Sequence, residues 1–590
     1  MTDRPDIVVV MTDEERAIPP YESPDVLGWR QRTLTGRRWF DENGVSFTRH
    51  YTGSLACVPS RPTIFTGQYP DLHGVTQTDG IGKMYDDSRM RWLRPGEVPT
   101  LGNWFRAAGY DTFYDGKWHI SHADLTDPAT GGILATNDDA GDVDQAAVRR
   151  YLDADPLSPF GFSGWVGPEP HGAGLANCGL RRDPLIAARV VAWLEDRYAR
   201  RRAGDPDALR PFLLVASFVN PHDIVLFPAW ALRSPLKPSP LDPPHVPAAS
   251  TADEDLRTKP AAQIAFREAY YSGYGPAPAI QTVYDRFGQR YRDLYYRLHA
   301  EVDTPIDQVR RAVTGGSENA VLVRTSDHGD LLGAHGGLHQ KWFNLYDEAT
   351  RVPFTIARVG GRATGPRVVD APTSHVDLVP TLLAAAGVDV AGAAETLRES
   401  FSEVHPLPGR NLMPVVDGAA ADDDRAVYLM TRDNMLEGDS GVSGLGRQLK
   451  QTTNPPAPLR IRIPAYTAAN FEGLVVRVEA TVPRGDGHLW KLVRSFDDPS
   501  TWTEPGVRQL AANGLGGEVY RTSPLDDQWE LYDLTDDPIE ADNRWSDPAL
   551  HELRRHLRMR LKESRADSVP ERNNPWPYSA RQSPARKHSI

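Results

Sequence analysis

Three uninterrupted apolar runs, each ending in polar residues, constrain the fold of this 590-residue chain. The first reads DIVVVMTDEE, and the pattern returns as FLLVASFVNPHD near residue 213 and as AVLVRTSDHGD near residue 320. An apolar run without alternation suits a strand that is buried on both faces, as in a parallel sheet flanked by helices. Functional groups gather at the carboxyl edge of such sheets. We therefore expect Asp13, His222 and Asp327 to meet at one edge.

The segments between these runs have the pattern of helices. Four of them, residues 100–110, 183–202, 291–313 and 374–388, carry apolar residues at helical spacing or end at a glycine. Strands that alternate with helices predict an α/β domain with a mostly parallel sheet. The proline-rich segment 228–262 has no such pattern, and we expect it to be an excursion on the surface.

The chain changes character near residue 420, in the stretch VVDGAAADDDRAVYLM. Three strand-like pieces follow (LVVRVEATV, HLWKLVRSF and WELYDLT), and a helix is predicted over 548–563. This order predicts a smaller antiparallel sheet with a helix on one face. We expect a large α/β domain over 1–420, an α+β subdomain over 421–563 and an extended tail over 564–590. The basic, proline-containing tail is either frayed or an arm that reaches a neighbouring subunit of a homo-oligomer.

Composition and charge exclude several classes of protein. A net charge of −13 argues against a nucleic-acid binder, which would present a basic face. Two cysteines cannot form a disulfide framework. The apolar run over 7–11 is too short for the core of a signal peptide, and no stretch has the length of a membrane span. We expect a cytoplasmic protein without a membrane partner.

Two pairs of potential metal ligands follow strands. Asp13 and Glu14 come after the first apolar run, and Asp327 and His328 come after the third. Several carboxylates suit a hard divalent cation such as Ca²⁺ or Mg²⁺, and an added imidazole favours Mn²⁺. Aspartates also occur at strand ends for turn and capping reasons, but two such pairs with a DHG turn favour a metal site.

Several basic side chains lie in short motifs. The motif DGKWH supplies Lys117 and His119, which alternate and so share one face of a strand end, and HGGLHQKW supplies Lys341. Lysines beside a divalent metal are expected around a tetrahedral anion, although both lysines could equally be surface charges. We expect His335 and His339 to be hydrogen-bonded structural residues.

Cys57 lies in the turn-rich stretch CVPSRPTIFTG. A free cysteine is usually a small buried apolar residue, and a thiolate nucleophile needs a histidine or a helix N-terminus to lower its pKa. The residues after Pro59 read as a turn into a helix N-terminus, which is a natural anion site. Arg61 would then lie beside Cys57 and orient it.

These motifs together resemble the type I sulfatases, the formylglycine-dependent family that includes arylsulfatases and phosphonate monoester hydrolases in the alkaline phosphatase superfamily. CVPSRPTIFTG resembles the family signature C-x-P-S-R followed by x4-T-G. Its companions GKWH, NPH, DHGD, LHQKW and HVDLVPTLL come in family order, and the resemblance covers most of residues 5–390. It implies an alkaline-phosphatase-like fold, with a large mixed, mostly parallel sheet flanked by helices. It also implies a smaller C-terminal antiparallel sheet plus a helix.

The resemblance implies that Cys57 is oxidised to formylglycine by a formylglycine-generating enzyme that reads Pro59, Ser60 and Arg61. The hydrated aldehyde would attack the sulfur of a sulfate ester, with His222 as the acid that protonates the leaving alcohol. His119 would then act as the base that releases sulfate and restores the aldehyde. The catalytic residues implied are Cys57, Arg61, Lys117, His119, His222 and Lys341.

The same resemblance implies one divalent metal ion, with Ca²⁺ first and Mn²⁺ or Mg²⁺ as alternatives. The ligands implied are Asp13, Glu14, Asp327, His328 and an oxygen of the modified Cys57. Arg61, Lys117 and Lys341 would stabilise charge on the sulfuryl oxygens and on the formylglycine diol. Two positions depart from the family pattern: Glu14 stands where Asp or Gln is usual, and His328 where Asn is common.

The reaction expected is hydrolysis of an aryl or alkyl sulfate monoester. Because an Asp-His pair also occurs in phosphonate monoester hydrolases, hydrolysis of a phosphonate monoester or phosphodiester is the alternative. A third hypothesis is a catalytically idle binding module, which the full set of site residues disfavours. We expect segments 78–98, 158–180 and 228–285 to wall the pocket. The aromatic residues there are either substrate contacts or core, and they include Trp92, Trp165, Phe227 and Trp230.

Overall fold

The structure is a computed structural model of the chain. It describes residues 4–79, 85, 90–170, 174–231, 233–273, 280–360, 363–433, 467–502, 504–514 and 517–576. Within these residues, the strands of the central sheet in chain order are β1 (Asp6–Asp13), β2 (Gly44–Phe47), β3 (Asp111–Gly116), β4 (Phe212–Pro221), β5 (Asn319–Ser326), β6 (Phe354–Gly360) and β7 (Arg367–Val369).

The central sheet is mixed and mostly parallel, as the sequence predicts. Its spatial order is β3-β4-β1-β5-β6-β2-β7, and only β6 runs against the other strands. The first apolar run forms β1, and the other two runs form β4 and β5. β1 lies between β4 and β5 in the sheet and is parallel to both. All eight residues of β1 are buried, because helices cover both faces of the sheet. The carboxyl ends of β1, β4 and β5 therefore lie side by side.

Helices of seven residues or more flank both sheets. Among the described residues they are α1 (Pro24–Thr33), α2 (Thr35–Asn43), α3 (Cys57–Thr66), α4 (Leu101–Ala107), α5 (Gln145–Ala154), α6 (Gly179–Arg202), α7 (Ala261–Gly273), α8 (Ile280–Gly316), α9 (Leu378–Ala385), α10 (Val390–Arg398) and α11 (His551–Ser568). Of the four helices predicted, α8 begins eleven residues earlier than expected, at Ile280, and has a kink at Phe287. The other three, α4, α6 and α9, begin or end within four residues of the predicted limits.

Two apolar layers hold the helices on the sheet. Side chains of α3, α4 and α9 pack on the face that carries Ile7, Val9 and Met11. Side chains of α6, α8 and the end of α2 pack on the opposite face, which carries Val8 and Val10. Successive residues of β1 thus point to opposite faces and supply apolar side chains to both layers, which explains why no polar residue lies between Asp6 and Thr12.

The C-terminal part contains a second, antiparallel sheet. The strands of this sheet are β8 (Val427–Thr431), β9 (Asn470–Arg477), β10 (Leu489–Phe496) and β13 (Gln528–Asp533). A separate hairpin, β11 (Gln509–Gly514) and β12 (Gly517–Arg521), lies between β10 and β13 in the chain. The four-stranded sheet has the order β8-β9-β10-β13, and β11 pairs with β12. Leu553, Leu557 and Leu561 of α11 pack on this sheet. The predicted antiparallel sheet with a helix on one face is confirmed.

The helix α11 extends beyond the predicted range. It continues to Ser568, so the first five residues of the expected tail are helical. Arg565 holds the last turn by donating to Glu472 at 3.0 Å and to Asp71 at 2.8 Å. The residues that follow return to the large domain, where the backbone of Asn573 donates to Glu403. Residues 577–590 of the expected arm lie outside the described residues, and the boundary near residue 420 stays a prediction.

The proline-rich segment has little regular structure. Its described part, residues 228–231 and 233–262, holds the end of a short helix, Phe227–Trp230, and one 3₁₀ turn, Leu256–Thr258, before α7 begins. As to membrane spans, no single helix in the described ranges combines the necessary length with an apolar composition. One bent pair, His375–Ala385 with Val390–Arg398, meets those two criteria together.

Candidate active site

Asp13, His222 and Asp327 meet at the carboxyl edge of the central sheet. Asp13 is the last residue of β1, His222 follows β4, and Asp327 follows β5. Asp13 has a ligand oxygen within 4.8 Å of a ligand atom on each of the other two. The three side chains lie close together because the three strands are parallel, so their carboxyl ends lie at the same edge of the sheet.

Cys57 is the first residue of α3 and lies at the centre of this edge. Its Sγ atom is 3.0 Å from His328 Nε2, 3.7 Å from Asp13 Oδ1 and 4.0 Å from Lys117 Nζ. His328 Nδ1 donates to the Gly329 carbonyl at 2.9 Å, so Nε2 is free to accept from the thiol. Burial and the Asp13 carboxylate raise the pKa of the Cys57 thiol. Unmodified Cys57 is therefore a neutral thiol, not an activated thiolate.

Arg61 lies one helical turn after Cys57 and joins the ends of two strands. Its Nε donates to Asp327 Oδ2 at 2.9 Å, and a terminal nitrogen donates to Asp13 Oδ2 at 2.8 Å. The other terminal nitrogen donates to Ser217 Oγ and to the Lys117 carbonyl. Because Arg61 is fully buried and engaged with protein atoms, its geometry is that of a clamp on Asp13 and Asp327. The family resemblance implied that Arg61 stabilises charge on the sulfuryl oxygens. No sequence pattern indicated that Arg61 also joins Asp13 to Asp327.

Both lysines are buried ion-pair partners, so the alternative of solvated surface charges is wrong. Lys117 Nζ is 2.8 Å from Asp13 Oδ2, and Lys341 Nζ is 3.0 Å from Glu14 Oε2. Burial alone would lower the pKa of Lys117, but the Asp13 carboxylate outweighs it and the pKa is raised. Burial likewise opposes the charge of Lys341, and the groups at Cys57, Glu14 and Asp13 raise its pKa. Two fixed cations therefore face the Cys57 side chain.

The residues expected to bind metal form two overlapping groups. Asp13, Cys57, Asp327 and His328 offer ligand atoms that all lie within 4.8 Å of one another, and Asp13, Glu14 and His222 form a second such group. The five predicted ligands thus fall into two groups that share Asp13, and the Glu14 carboxyl group also acts electrostatically on His328. The backbone of Glu14 has a positive φ of 67°, which turns its side chain away from the strand direction.

The charges in these groups fit a divalent cation. Glu14 is buried beside the Asp330 carboxyl group, and their mutual charge and hydrogen bond raise the pKa of Glu14. Burial raises the pKa of Glu14 to about 8, and burial together with Asp13 raises the pKa of Asp327 to about 7. Burial also lowers the pKa of His328 to about 3, so its imidazole is neutral and can act as a ligand. Crowded carboxylates with a neutral imidazole are the donor set that a divalent metal ion takes.

His119 and His222 lie on loops at the rim of the site. β3 ends at Gly116, so Lys117 and His119 lie beyond the strand and the alternation predicted for them does not apply. His119 has a positive φ of 54°, and its Nε2 is 2.8 Å from Asp79 Oδ1. Burial lowers the pKa of His119, which keeps the ring neutral. His222 opens a 3₁₀ turn directly after Pro221.

Two carboxyl groups that sequence reasoning did not assign support the site. Glu169 accepts from the backbone N–H groups of Trp118 and His119, and burial raises its pKa to about 8. Asp330 accepts from the Tyr291 hydroxyl at 3.3 Å and contributes to the raised pKa of Glu14. The motif DHGD contains Asp330, so its position was visible in the sequence. Glu169 lies in no motif.

The two histidines expected to be structural have partners away from Cys57. His335 lies between Glu254 and Glu348, at 2.9 Å and 3.2 Å. His339 stacks on Tyr284 with ring centroids 3.8 Å apart. Both are buried in packed surroundings.

The aromatic residues of the expected pocket walls fall into two sets. Trp165, Phe227 and Trp230 belong to apolar cores, so packing accounts for them. Trp92 is half-buried and lies 5.9 Å from the His119 ring. Parts of these walls, residues 80–84, 86–89, 171–173, 232 and 274–279, lie outside the described residues.

Comparison with known proteins agrees with this geometry. The Sulfatase family model matches residues 5–388. The chain is 27% identical over 417 residues to the uncharacterized sulfatase YidJ of Escherichia coli, which covers 70% of this chain and 71% of that protein.

Solved structures share the whole fold. A 2-O GAG sulfatase superposes with a TM-score of 0.58 and 19% identity, over 96% of this chain and 93% of that chain. The phosphonate monoester hydrolase of Agrobacterium radiobacter superposes with a TM-score of 0.55 and 19% identity, over 96% of each chain. These likenesses confirm the predicted alkaline-phosphatase-like architecture. Because the family match spans most of the chain and includes the Cys57 site, the chain belongs to the sulfatase family, the sulfuric ester hydrolases.

Proposed function

We propose that this sulfatase hydrolyses an aryl or alkyl sulfate monoester with a nucleophile made from Cys57 and with one divalent metal ion. The S–O ester bond breaks, and water supplies the atoms that convert the ester to an alcohol and hydrogen sulfate. One observation carries the proposal. The Sγ atom of Cys57, fully buried at the start of α3, lies within 4.0 Å of Asp13, Lys117 and His328 together.

The environment of Cys57 supports its conversion to formylglycine. The thiol has a raised pKa and a neutral histidine as its neighbour, so it is a poor nucleophile as it stands. When formed, the hydrated aldehyde of formylglycine supplies an oxygen nucleophile. Pro59, Ser60 and Arg61 would be read by a formylglycine-generating enzyme before folding, because all three are buried in the folded chain.

The fixed charges of the chain would bind and orient the sulfate group. Lys117 and Lys341 both act electrostatically on Cys57 and are held by Asp13 and Glu14. Preorganised cations of this kind stabilise negative charge that develops on transferring oxygens. Arg61 acts indirectly, because it keeps Asp13 and Asp327 in place.

Two histidines are suited to proton transfer. His119 is neutral and hydrogen-bonded to Asp79, as a base oriented by a carboxylate would be. His222 lies beside Asp13 and Glu14 at the carboxyl edge of the sheet. We assign His222 as the acid for the leaving alcohol and His119 as the base.

Asp13, Asp327, His328 and the modified Cys57 would hold the metal ion, with Glu14 Oε1 as a further oxygen. When bound, the ion would polarise the nucleophile and offset the carboxylate charges. Three carboxylates favour Ca²⁺, with Mn²⁺ and Mg²⁺ as alternatives.

Hydrolysis of a phosphonate monoester or phosphodiester is the second candidate. The observation that favours it is His328, a neutral imidazole in the ligand group where the sulfatase pattern commonly has Asn. Phosphonate monoesters and phosphodiesters are also tetrahedral anions, so the same two lysines would bind them.

Mass spectrometry and kinetics test the proposal together. A peptide that spans Cys57, from protein made with an active formylglycine-generating enzyme, is expected to show the aldehyde or its hydrate. Cys57→Ser should abolish hydrolysis, whereas Cys178→Ser, a change at the other buried free cysteine, should leave the activity near that of the parent. Full activity of the Cys57→Ser variant, or an unmodified thiol in active enzyme, would refute the nucleophile.

The rates on matched aryl sulfate and aryl phosphonate esters separate the two candidates. A higher kcat/KM for the sulfate supports the first and a higher value for the phosphonate the second, while no turnover of either ester supports a binding module. The cytoplasmic location and the homo-oligomer stay predictions, to be checked by cell fractionation and by light scattering.

A further inference from the structure

A basic cavity lies apart from the active site, between α1, α2 and the sheet strands β2, β5 and β6. Its volume is about 210 Å³. None of its lining residues is among those placed around Cys57. Six arginines line it, and they are Arg16, Arg30, Arg37, Arg38, Arg324 and Arg351. One carboxylate, Asp41, lines it with them.

Two of these guanidinium groups have unused donors although they are buried. Arg324 and Arg16 are 4% and 5% exposed. The Nε atom of each has no hydrogen-bond partner in the part of the chain that the structure describes. Buried donors of charged groups are normally paired, so these two N–H groups are available to a ligand in the cavity.

Four of the six arginines form ion pairs with carboxylates, among them Arg351 with Asp347 and Arg38 with Glu42. Glu15 is shared by Arg37 and Arg324, with which it forms buried ion pairs. Within the described ranges, Arg16 donates from its side chain to neutral hydroxyl groups, those of Tyr21 and Tyr296, at 3.4 Å each. Arg30 lies over the Tyr296 ring and forms no ion pair among the described residues. Neither Arg16 nor Arg30 thus forms a hydrogen-bonded ion pair with a carboxylate among the described residues, although Asp41 acts electrostatically on Arg30 and Glu348 on Arg16.

We propose that this cavity is a second anion site, which binds a small ligand that carries a sulfate or phosphate group. Guanidinium groups bind tetrahedral oxyanions through paired N–H donors. The volume admits such an anion with a few waters or a short substituent, since one water occupies about 30 Å³. Phe47, Leu34 and Phe354 form the apolar side of the cavity and would contact the substituent. The proposal rests on the cavity alone and does not depend on the reaction at Cys57.

Crystals of the metal-loaded protein soaked in selenate, a tetrahedral anion with an anomalous signal, test the site directly. An anomalous peak is expected in the cavity within hydrogen-bond distance of Arg16, Arg30 or Arg324. Absence of that peak at a concentration that fills the active site would overturn the proposal.

Equilibrium dialysis with radiolabelled sulfate provides the solution test. The parent protein should bind two sulfates, and Arg30→Ala should lose affinity at one site by at least about tenfold. Arg32→Ala, on the same helix but outside the cavity lining, should behave like the parent. Gln31→Glu, which adds a carboxylate at the cavity, should weaken the same site. Equal binding by all four proteins would refute the proposal.

Competition with inorganic phosphate distinguishes the two oxyanions. The test site is the one at which the parent protein binds sulfate and the Arg30→Ala variant does not. If phosphate displaces sulfate from that site, the cavity recognises either tetrahedral anion. If it does not, the site is specific for sulfate. Displacement of that sulfate by chloride at the same ionic strength would show only general screening and would overturn the assignment.

Discussion

The titratable side chains around Cys57 are each paired with another residue of the site. Lys117 is held by Asp13, and His119 is held by Asp79. Arg61 ties Asp13 to Asp327. Since these partners come from different segments of the chain, a change at one residue removes a charge and also frees the side chain that this charge held in place.

We expect Lys117→Met to lower kcat by about 10²- to 10³-fold, because it removes a preorganised cation 4.0 Å from Cys57 Sγ. Arg61 would still neutralise Asp13, so the fold should persist. Steady-state kinetics on an aryl sulfate measure the effect, with circular dichroism to check folding. Lys562→Met, at an exposed residue of α11, is the control. A kcat for Lys117→Met equal to that of the control would remove Lys117 from the catalytic set.

His335 should make stability depend on pH. Burial alone would lower its pKa, but Glu348 and Glu254 outweigh burial and raise it to about 9. Because the folded pKa lies above the unfolded value of about 6.5, the stabilisation is fully present below about pH 6.5 and is lost as the pH rises through about 9.

The difference in unfolding free energy between the parent and His335→Gln should therefore shrink by about 3 kcal/mol between pH 6 and pH 10. Urea unfolding at both pH values measures it. The exposed His551→Gln variant should show no such change. A parent-to-variant difference that is independent of pH would contradict the charged state of His335.

At the scale of elements, the positions of the active-site side chains depend on strand ends and turns more than on helices. β1, β4 and β5 end at the same edge, and α3 begins there with Cys57 as its first residue. Close backbone approach allows this convergence. Gly116, at the end of β3, has a φ of 106° and lies where a Cβ would be 1.8 Å from the Ser217 carbonyl oxygen.

Gly116→Ala is expected to prevent normal folding or to lower Tm strongly, because backbone atoms cannot yield as a flexible side chain does. Gly131 is the matched control, with a φ of 71° and no atom within 4 Å of the position that a Cβ would take. Gly131→Ala should cost only about 1–2 kcal/mol from its backbone conformation. Thermal unfolding of both variants checks this, and equal Tm losses would show that the contact with Ser217 does not matter.

At the scale of the whole molecule, the C-terminal sheet supports the loop that carries Lys341. Lys491 of β10 is fully buried, and its Nζ lies 2.6 Å from Asp347 and 2.8 Å from Glu540. The same atom donates to the Leu345 carbonyl at 2.9 Å. The later part of the chain therefore fixes the segment 341–347 that ends in Asp347.

Lys491→Met should destabilise the protein by about 3–5 kcal/mol, because it leaves buried Glu540 without its cation and buried Asp347 with Arg351 alone. Adding Glu540→Gln to that variant should recover part of the loss, since it removes one uncompensated charge. Urea unfolding measures both, with Lys562→Met as the control. An unfolding midpoint for Lys491→Met equal to that of the control would mean that this ion-pair group contributes nothing.

The sequence by itself determined the strands, the order of the motifs and the edge at which Asp13, His222 and Asp327 meet. These follow from local patterns, because an apolar run and the polar residue after it are adjacent in the chain. The signature around Cys57 is likewise contiguous, so it indicates the family without any knowledge of geometry.

Only the tertiary structure decided which side chains touch. It made Arg61 a clamp, grouped Glu14 with Asp13 and His222, and brought Glu169 to the backbone of His119. These contacts join residues tens to hundreds of positions apart, and their geometry depends on strand register and on backbone turns such as the positive φ at Glu14 and His119. The same is true of the arginine cavity, whose members come from three separate stretches of the chain and share no motif. Local sequence pattern carries no information about such meetings, because packing of distant segments produces them.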